Sequence, residues 1–436
     1  MITLTDEMKE ALDIIQNSNQ SLYITGKAGT GKTTFLRYIV NNIQKRFIIT
    51  ASTGIAAVNA GGVTLHSLLN IPFGVLTEAE NVRSGYRPEK AALLQSIDAL
   101  VIDEISMVRP DVMDYVDRKL KMYRGNDEPF GGVQIIMFGD LFQLPPVVKK
   151  DEEYILRQYY DSAYFFNSFA LRESGFKIVE LNHIFRQSDQ RFIEILNHIR
   201  EYQITDEDID DLSELRNKME SKDFNSDSIH ICAFRRDVTK INEELLGVPT
   251  HVYKALLTGD FQANSTPCDQ LLKLRIGARV MMLVNDHNHI YCNGSLGNVV
   301  SLNDTTVTVR LDNGCTIAVS PNEWVQKEYR MINGKIETIE KGSCKQFPIA
   351  LAWAITIHKS QGLTFDHIVI HTKGVFVPGQ VYVALSRCRT LEGIVSDTFI
   401  DKRHILIDRA LIKFNKACKL SNNIFNNETY KLMKRV

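Results

Sequence analysis

The sharpest chemical signal in the sequence is Gly26-Lys27-Ala28-Gly29-Thr30-Gly31-Lys32-Thr33-Thr34. It fits the phosphate-loop template of Gly, four residues, Gly, Lys and a hydroxyl residue. An apolar run, Leu22-Tyr23-Ile24-Thr25, leads into it and a helical pattern follows. The glycines turn the backbone tightly enough to aim several N–H groups at one point, and the helix adds the positive end of its dipole. Such a cradle holds a phosphate chain. Lys32 then reaches the β and γ phosphates of ATP and the Thr33 hydroxyl holds Mg²⁺, with Gly29, Thr30, Gly31 and Thr34 completing the loop.

A second chemical group closes the buried-strand run Ala99-Leu100-Val101-Ile102, where Asp103-Glu104 places two carboxylates at a strand's carboxyl end. Asp103 is suited to Mg²⁺, and Glu104 to accepting a proton from an attacking water. Alone, an acidic pair as readily ends a strand and caps a helix; the upstream phosphate loop favours catalysis. A further run, Val133 to Phe138, ends in Gly139-Asp140-Leu141-Phe142-Gln143-Leu144-Pro145-Pro146. The Gln143 amide suits contact with both the γ-phosphate and the attacking water, although a Gln in a Pro-rich turn is by itself ordinary polar surface.

These groups need strands and helices to aim them. Residues 5–16 read as a helix capped by Thr5, with Met8, Leu12 and Ile15 on one face. Phe47-Ile48-Ile49-Thr50 is a strand leading into the small-residue helix at 51–57, and 70–98 reads as a loop-rich insertion. The strand–helix alternation resumes with a strand at 177–181, a helix with Phe192, Ile195, Leu196 and Ile199 on one side, an acidic amphipathic stretch at 205–219 and a strand at 229–233. Between 273 and 345, alternating strands and Asn-Gly pairs at 293/294, 313/314 and 333/334 predict a small antiparallel β-barrel. Apolar runs at 349–356 and 367–370 return to the α/β pattern, and the chain from about 400 is helical. The fold class is α/β.

Bulk properties bound the rest. A chain of 436 residues holds several domains. Lys+Arg 51 against Asp+Glu 52 leaves a net charge of -1, so any nucleic-acid surface must be local. The seven cysteines show neither Cys-x-x-Cys nor metal-ligand spacing, which points to reduced thiols in the cytosol. The N-terminus has no secretory core or transit pattern, and no apolar run suits a membrane span. A soluble intracellular protein without a membrane partner is expected.

In order along nearly the whole chain, the motifs resemble those of the petite integration frequency (PIF) family of DNA helicases, superfamily one type B. The phosphate loop is followed by Thr53-Gly54-Ile55-Ala56-Ala57 through Thr64-Leu65-His66, then Asp103-Glu104 and Gly139 to Pro146. Phe185-Arg186-Gln187, His358-Lys359-Ser360-Gln361-Gly362 and Tyr382-Val383-Ala384-Leu385-Ser386-Arg387 complete the set. Asp117-Arg118-Lys119-Leu120 with Pro129-Phe130-Gly131-Gly132-Val133-Gln134 resembles the signature that separates this family from RecD-like relatives.

The resemblance implies two RecA-like parallel-sheet domains, 1–69 with 99–176 and 177–272 with 346–436. A small wedge-like insertion at 70–98 and an SH3-like β-barrel insertion at 273–345 accompany them. It implies ATP between the two domains, Arg186 and Arg387 reaching the γ-phosphate and Gly362 offering a backbone N–H. DNA contacts fall to Thr53, Thr64 and His66 on the first domain and to Thr356, His358 and Lys359 on the second. Phe73 either stacks on a base at the duplex junction or packs inward. The family usually has Gln where this chain has Met8, so an adenine-recognising side chain at that ATP-binding position is in doubt.

The implied activity is ATP-dependent 5′ to 3′ translocation on single-stranded DNA with unwinding of forked or partial-duplex DNA, extending to R-loops and G-quadruplexes. The implied setting is a monomeric bacterial core in the cytoplasm, associated with the nucleoid and without an added regulatory domain. The competing reading is a phosphate-loop ATPase switch or scaffold without unwinding, which DNA stimulation of the ATPase discriminates.

Overall fold

Thr5 caps helix α1 (Asp6–Asn17) by accepting the Met8 N–H, and Met8, Ala11 and Ile15 turn one face into the core, as the sequence pattern requires. The chain is seen in a computed structural model that describes residues 4–72, 74–77, 82, 86–185, 187, 189–220, 228–261, 268–286, 290–291, 293–332, 335–373, 375 and 377–436. It divides into two units: Met1–Phe185 with Lys327–Glu340 and Asp408–Val436, and Arg186–Gln326 with Lys341–Ile407.

The first unit is built on strands β1 (Leu22–Gly26), β2 (Phe47–Ala51), β3 (Val63–Thr64), β4 (Ala99–Asp103), β5 (Gln134–Phe138) and β6 (Phe176–Leu181). They pair in parallel in the order β6-β1-β5-β4-β2-β3, and a C-terminal strand, Ile424–Phe425, joins β6 antiparallel as the seventh. Side chains alternate between two cores, as the two-residue period of a strand dictates. Leu22, Ile24, Val101, Ile136 and Phe138 pack against α1 and helix α2 (Lys32–Asn42) on one face. Tyr23, Leu100, Ile102, Ile135 and Met137 belong to the other core. With both faces covered, every residue of β1, β4 and β5 is buried.

The expected boundary at 176/177 is corrected here. The strand assigned to the start of the second domain is β6, paired with β1 in the register Leu22↔Lys177 to Gly26↔Leu181. Residues 408–436, assigned to the second domain, also belong to the first unit. Phe414 stacks on Phe166 at 4.2 Å and Phe425 lies 5.0 Å from Phe176, so this segment completes an aromatic core. Local pattern marks a strand or an apolar helix face but carries no record of which sheet or pocket receives it.

Helices α3 (Gly54–Ala60), α4 (Leu65–Leu69), α5 (Pro88–Ser96) and α6 (Pro110–Arg124) complete this part of the unit. Helix α6 holds the insertion along its length. Asp111, fully buried, accepts the Leu76 N–H (2.9 Å) and the Arg109 guanidinium, which also bonds Gly74 O and pairs with Glu152. Arg118 donates to Thr77 O (3.1 Å), Lys119 to Val82 O (2.6 Å) and Arg124 to Leu94 O (2.8 Å), while the Tyr123 hydroxyl accepts the Arg87 N–H. The signature residues after α6 fold back on it. Asp117 accepts the Phe130 N–H, and a Cβ on Gly131, at φ +59, would meet Leu120 O at 2.9 Å.

The second unit carries a four-stranded parallel sheet in the order Ala354–Thr356, Ile229–Cys232, Ile368–His371, Ile394–Ser396. Its antiparallel part is wider than the expected 273–345, with strands from His251–Lys254 to Ile349–Leu351, while Lys327–Glu340 within that span is counted with the first unit. Within it, a five-stranded sheet is ordered Thr316–Val319, Val307–Leu311, Leu296–Leu302, Arg279–Met282, Ile349–Leu351. The apolar run at 349–356 divides between two sheets: Ile349–Leu351 pairs with Arg279–Met282, and Ala354–Thr356 with Ile229–Cys232. An unbroken apolar run suits either environment, so the sequence did not reveal the break. Asn313-Gly314 closes its hairpin with Gly314 at φ +87; the 333/334 pair lies outside the described residues. Among the described residues no helix is long and apolar enough to cross a membrane, and Cys232, Cys268, Cys315, Cys344, Cys388 and Cys418 are free thiols.

Candidate functional site

The phosphate loop leaves β1 at Gly26, where a Cβ would lie 2.7 Å from Leu181 O, and enters α2 through Gly31, left-handed at φ 78. Lys32 donates to Gly26 O (2.7 Å) and Lys27 O (3.1 Å), so loop carbonyls hold its ammonium in the cradle. The buried Thr30 hydroxyl donates to Lys27 O at 3.0 Å. Thr33 and Thr34 stand in the first turn of α2, beside the helix's positive end.

Strand order brings the acidic pair to the same edge. Between β1 and β4 lies only β5, and all three end on one side of a parallel sheet, the side that open α/β sheets use for ligands. Asp103 is 7% exposed, and burial raises its carboxyl to about 6 against the opposing charges of Lys32 and Arg37. A buried carboxylate and the Thr33 hydroxyl are hard oxygen donors, a set that fits Mg²⁺. Glu104 is one of the few non-glycine residues in the left-handed region, at φ 52, and starts a tight 3-10 turn at Ile105–Met107. Such a conformation costs on the order of 1 kcal/mol and breaks strand alternation, so Asp103 and Glu104 need not face opposite sides of the sheet.

The loop after β5 packs on that turn. A Cβ on Gly139 would lie 3.0 Å from Ile105 Cγ2 and 3.2 Å from Ile105 N, and the Tyr23 hydroxyl donates to Gly139 O. Gln143 is buried, its amide donating to Asp140 Oδ2 at 3.3 Å and its backbone N–H to Asp140 O. Sequence reasoning missed Asp140 as the residue that orients Gln143; its position at a strand end beside Gly139 was the available signal. It also missed Phe185, whose N–H donates to Gly29 O (2.9 Å) and whose half-exposed ring lies 3.7 Å from a Cβ built on Gly31.

Thr53 and Thr64 are helix N-caps. Thr53 accepts the Ala56 N–H at the start of α3, and Thr64 accepts the Ser67 N–H at the start of α4. Ala51 pairs with Asp103, and the next residue, Ser52, donates its N–H to Asp103 O. The putting together of Thr53 and the acidic pair is therefore a matter of strand register. His66, on α4, is kept below its ordinary pKa by burial and by the Arg109 charge, against Asp111.

In the second unit, Thr356 caps the short helix Ile357–Ser360 by accepting the Lys359 N–H, and His358 and Lys359 are exposed on that turn. Gly362 is left-handed at φ +78 with open space at its Cβ position. Arg387 is 1% exposed, its guanidinium donating to Val383 O, Ser360 O and the Ser386 hydroxyl, while Gln187 donates to Ser386 O and Cys388 O. These bonds join the three C-terminal motifs into one packed group. Phe73 and Arg186 lie outside the described residues. Met8, expected at the ATP-binding position, is 1% exposed, its side chain in the core with Ala11, Ile15, Leu22 and Phe35.

Comparison with known proteins agrees with this geometry. The profile of the PIF1-like helicase family matches residues 3–210. The crystal structure of Bacteroides sp Pif1 in complex with ADP-AlF4 superposes with a TM-score of 0.92 at 52% identity, covering 98% of this chain and 99% of that one. The ATP-dependent DNA helicase Pif1 of Bdellovibrio bacteriovorus is 30% identical over 428 residues, 95% of this chain and 92% of the relative. The PIF1 helicase of Xenopus laevis is 35% identical over 405 residues, and the chain spans 61% of its length. On the ordered motifs, the shared fold and these matches, the chain belongs to the PIF1-like helicase family.

Proposed function

We propose that this chain is an ATP-dependent DNA helicase that moves 5′ to 3′ along single-stranded DNA and separates forked and partial-duplex DNA. The observation that carries the reading is the register of β2 on β4. It leaves a single residue, Ser52, between Ala51, the partner of Asp103, and Thr53, the cap of α3. A carboxylate suited to metal and a helix N-terminus suited to a DNA phosphate thus share one rigid edge, so a change at either is felt at the other. Bacteroides Pif1, 52% identical, was crystallised with ADP-AlF3 and ssDNA, which supports the same pairing of ligands here. A structure on unwinding at forked dsDNA by two coordinating Pif1 helicases supports the fork as substrate.

In this mechanism the loop amides and Lys32 bind the β and γ phosphates, and Glu104 takes the proton of the attacking water. Thr33 and Asp103 would hold Mg²⁺, which would supply charge neutralisation at the phosphates. Gln143, oriented by Asp140, positions the water. Arg186 and Arg387 are assigned to the γ-phosphate and Gly362 to the same group by their motifs. Thr53, Thr64, His66, Thr356, His358 and Lys359 grip the strand, with Phe73 at the junction. R-loops and G-quadruplexes are proposed as further substrates, and a cytoplasmic, nucleoid-associated setting is proposed with them.

ATP hydrolysis measured with and without an oligonucleotide tests the reading, together with unwinding of partial duplexes bearing one 5′ or one 3′ tail. Strong stimulation and unwinding from the 5′ tail are expected. A rate indifferent to DNA would leave a phosphate-loop switch in its place.

A further inference from the structure

We propose that Arg235 is a phosphate-binding residue of the second unit's DNA grip, standing beside Thr356, His358 and Lys359 on the neighbouring strand's exit. The inference rests on the helicase reading above and assigns a contact that the motifs do not.

Strands Ala354–Thr356 and Ile229–Cys232 are parallel neighbours in the register Ala354↔His230 to Thr356↔Cys232. The segments that follow, Ile357-His358-Lys359 and Ala233-Phe234-Arg235, therefore leave the sheet at the same level of the same edge. The second segment opens the helix Arg235–Leu246, and Asn242 locks that helix to the first strand. Its side-chain amide donates to Ala354 O and accepts the Ala354 N–H, both at 2.9 Å. Two exchanged hydrogen bonds to one residue fix the second half of this helix to the start of the strand that ends at Thr356.

Two arginines stand at that start, and they are not equivalent. Arg236 lies over the Phe234 ring at 4.7 Å and pairs with Asp237 at 3.6 Å, so its charge is committed locally. Arg235 is exposed and makes no hydrogen bond or ion pair among the described residues. Its field nevertheless reaches the grip: partial burial and the Arg235 charge together hold His358 below its ordinary pKa. The His358 imidazole and a guanidinium that makes no ion pair among the described residues form a donor pair suited to a polyanion. With a net charge of -1, the chain must supply phosphate affinity through such local charges.

Binding of a labelled single-stranded oligonucleotide, followed by anisotropy over a salt series, tests the assignment. Arg235→Ala should weaken binding about tenfold and lower the magnitude of the log Kd against log salt slope by about 0.7, the value for one phosphate of a single strand. Arg235→Lys should keep the slope, since the charge remains, while losing part of the affinity. Arg236→Ala should change neither. An Arg235→Ala protein that binds within about twofold of the unaltered protein with the same slope, or equal losses in Arg235→Ala and Arg236→Ala, would overturn the proposal. If the unaltered protein itself ignores the oligonucleotide, the helicase reading falls and this one with it; if it binds and Arg235→Ala matches it, only Arg235 is misassigned.

Discussion

Lys32 and Glu104 do different work on the same substrate, and their substitution should separate binding from hydrolysis. The Lys32 ammonium is the charged partner of the phosphates, and losing a charge-assisted hydrogen bond costs about 1.5 to 3 kcal/mol. Lys32→Ala should therefore weaken ATP binding by about tenfold to a hundredfold and abolish turnover, read by titration with a fluorescent nucleotide. Glu104→Gln retains the shape of the turn after β4 but removes the base. ATP binding should persist while phosphate release slows by about 10² to 10⁴. Both residues were legible in the sequence because each sits in a fixed spacing. The left-handed backbone at Glu104 was not, since it follows from the packing of Gly139 on Ile105 rather than from neighbours in the chain.

Helix α6 shows what a motif recognised only as a label does physically. The sequence marked 117–120 and 129–134 as a signature, while the structure shows side chains of this helix and of its N-cap Arg109 hydrogen-bonded to the backbone of the insertion from Gly74 to Leu94. The groups at Gly74, Leu76, Thr77 and Val82 lie in irregular chain and Leu94 O in the last turn of α5, and all need partners once they are covered. Asp111 is the critical member because it is fully buried and satisfies both Arg109 and the Leu76 N–H. Asp111→Ala removes one of the two carboxylates that hold Arg109 and leaves the buried Leu76 N–H without its acceptor, which should cost about 1 to 3 kcal/mol. The milder Asp111→Asn should lower duplex unwinding more than DNA-stimulated ATP hydrolysis, since the insertion and not the phosphate loop loses its anchor. Equal losses in the two assays would show that Asp111 serves only general stability.

The two units should also be separable in their stability, because each has its own core and both tryptophans, Trp324 and Trp353, lie in the second. Phe425 is fully buried among Phe176, Phe414 and Phe166, so Phe425→Ala should destabilise the first unit by about 3 to 5 kcal/mol. Calorimetry should show one transition moved while tryptophan-detected unfolding is little changed. In the second unit, His230 lies 2.8 Å from His371, which lies 3.0 Å from Asp397. Burial, with the His371 charge, pushes His230 down to about 4. Between pH 6.5 and about 4 the unfolded chain thus takes a proton that the folded chain refuses, and stability falls as pH drops through that window by about 2 to 3 kcal/mol. Asp397, held low by His371 despite its burial, adds a loss of the same sign at more acid pH. His230→Asn should flatten the dependence between pH 6.5 and about 4 in urea unfolding followed by tryptophan fluorescence.

From sequence alone came the phosphate loop, the acidic pair, the order of the motifs and the α/β class, because each depends on residue types at short spacing or on a local period. Thr53, Thr64 and Thr356 entered only through the family resemblance, and the structure shows each to be a helix cap that lies within three residues of the N–H it accepts. Tertiary structure alone decided that β6 and residues 408–436 belong to the first unit, that Met8 is core, and that Asp140 holds Gln143. Strand partners and aromatic pockets are chosen by surfaces distant in the chain, and a local pattern specifies the face to be buried without specifying what buries it.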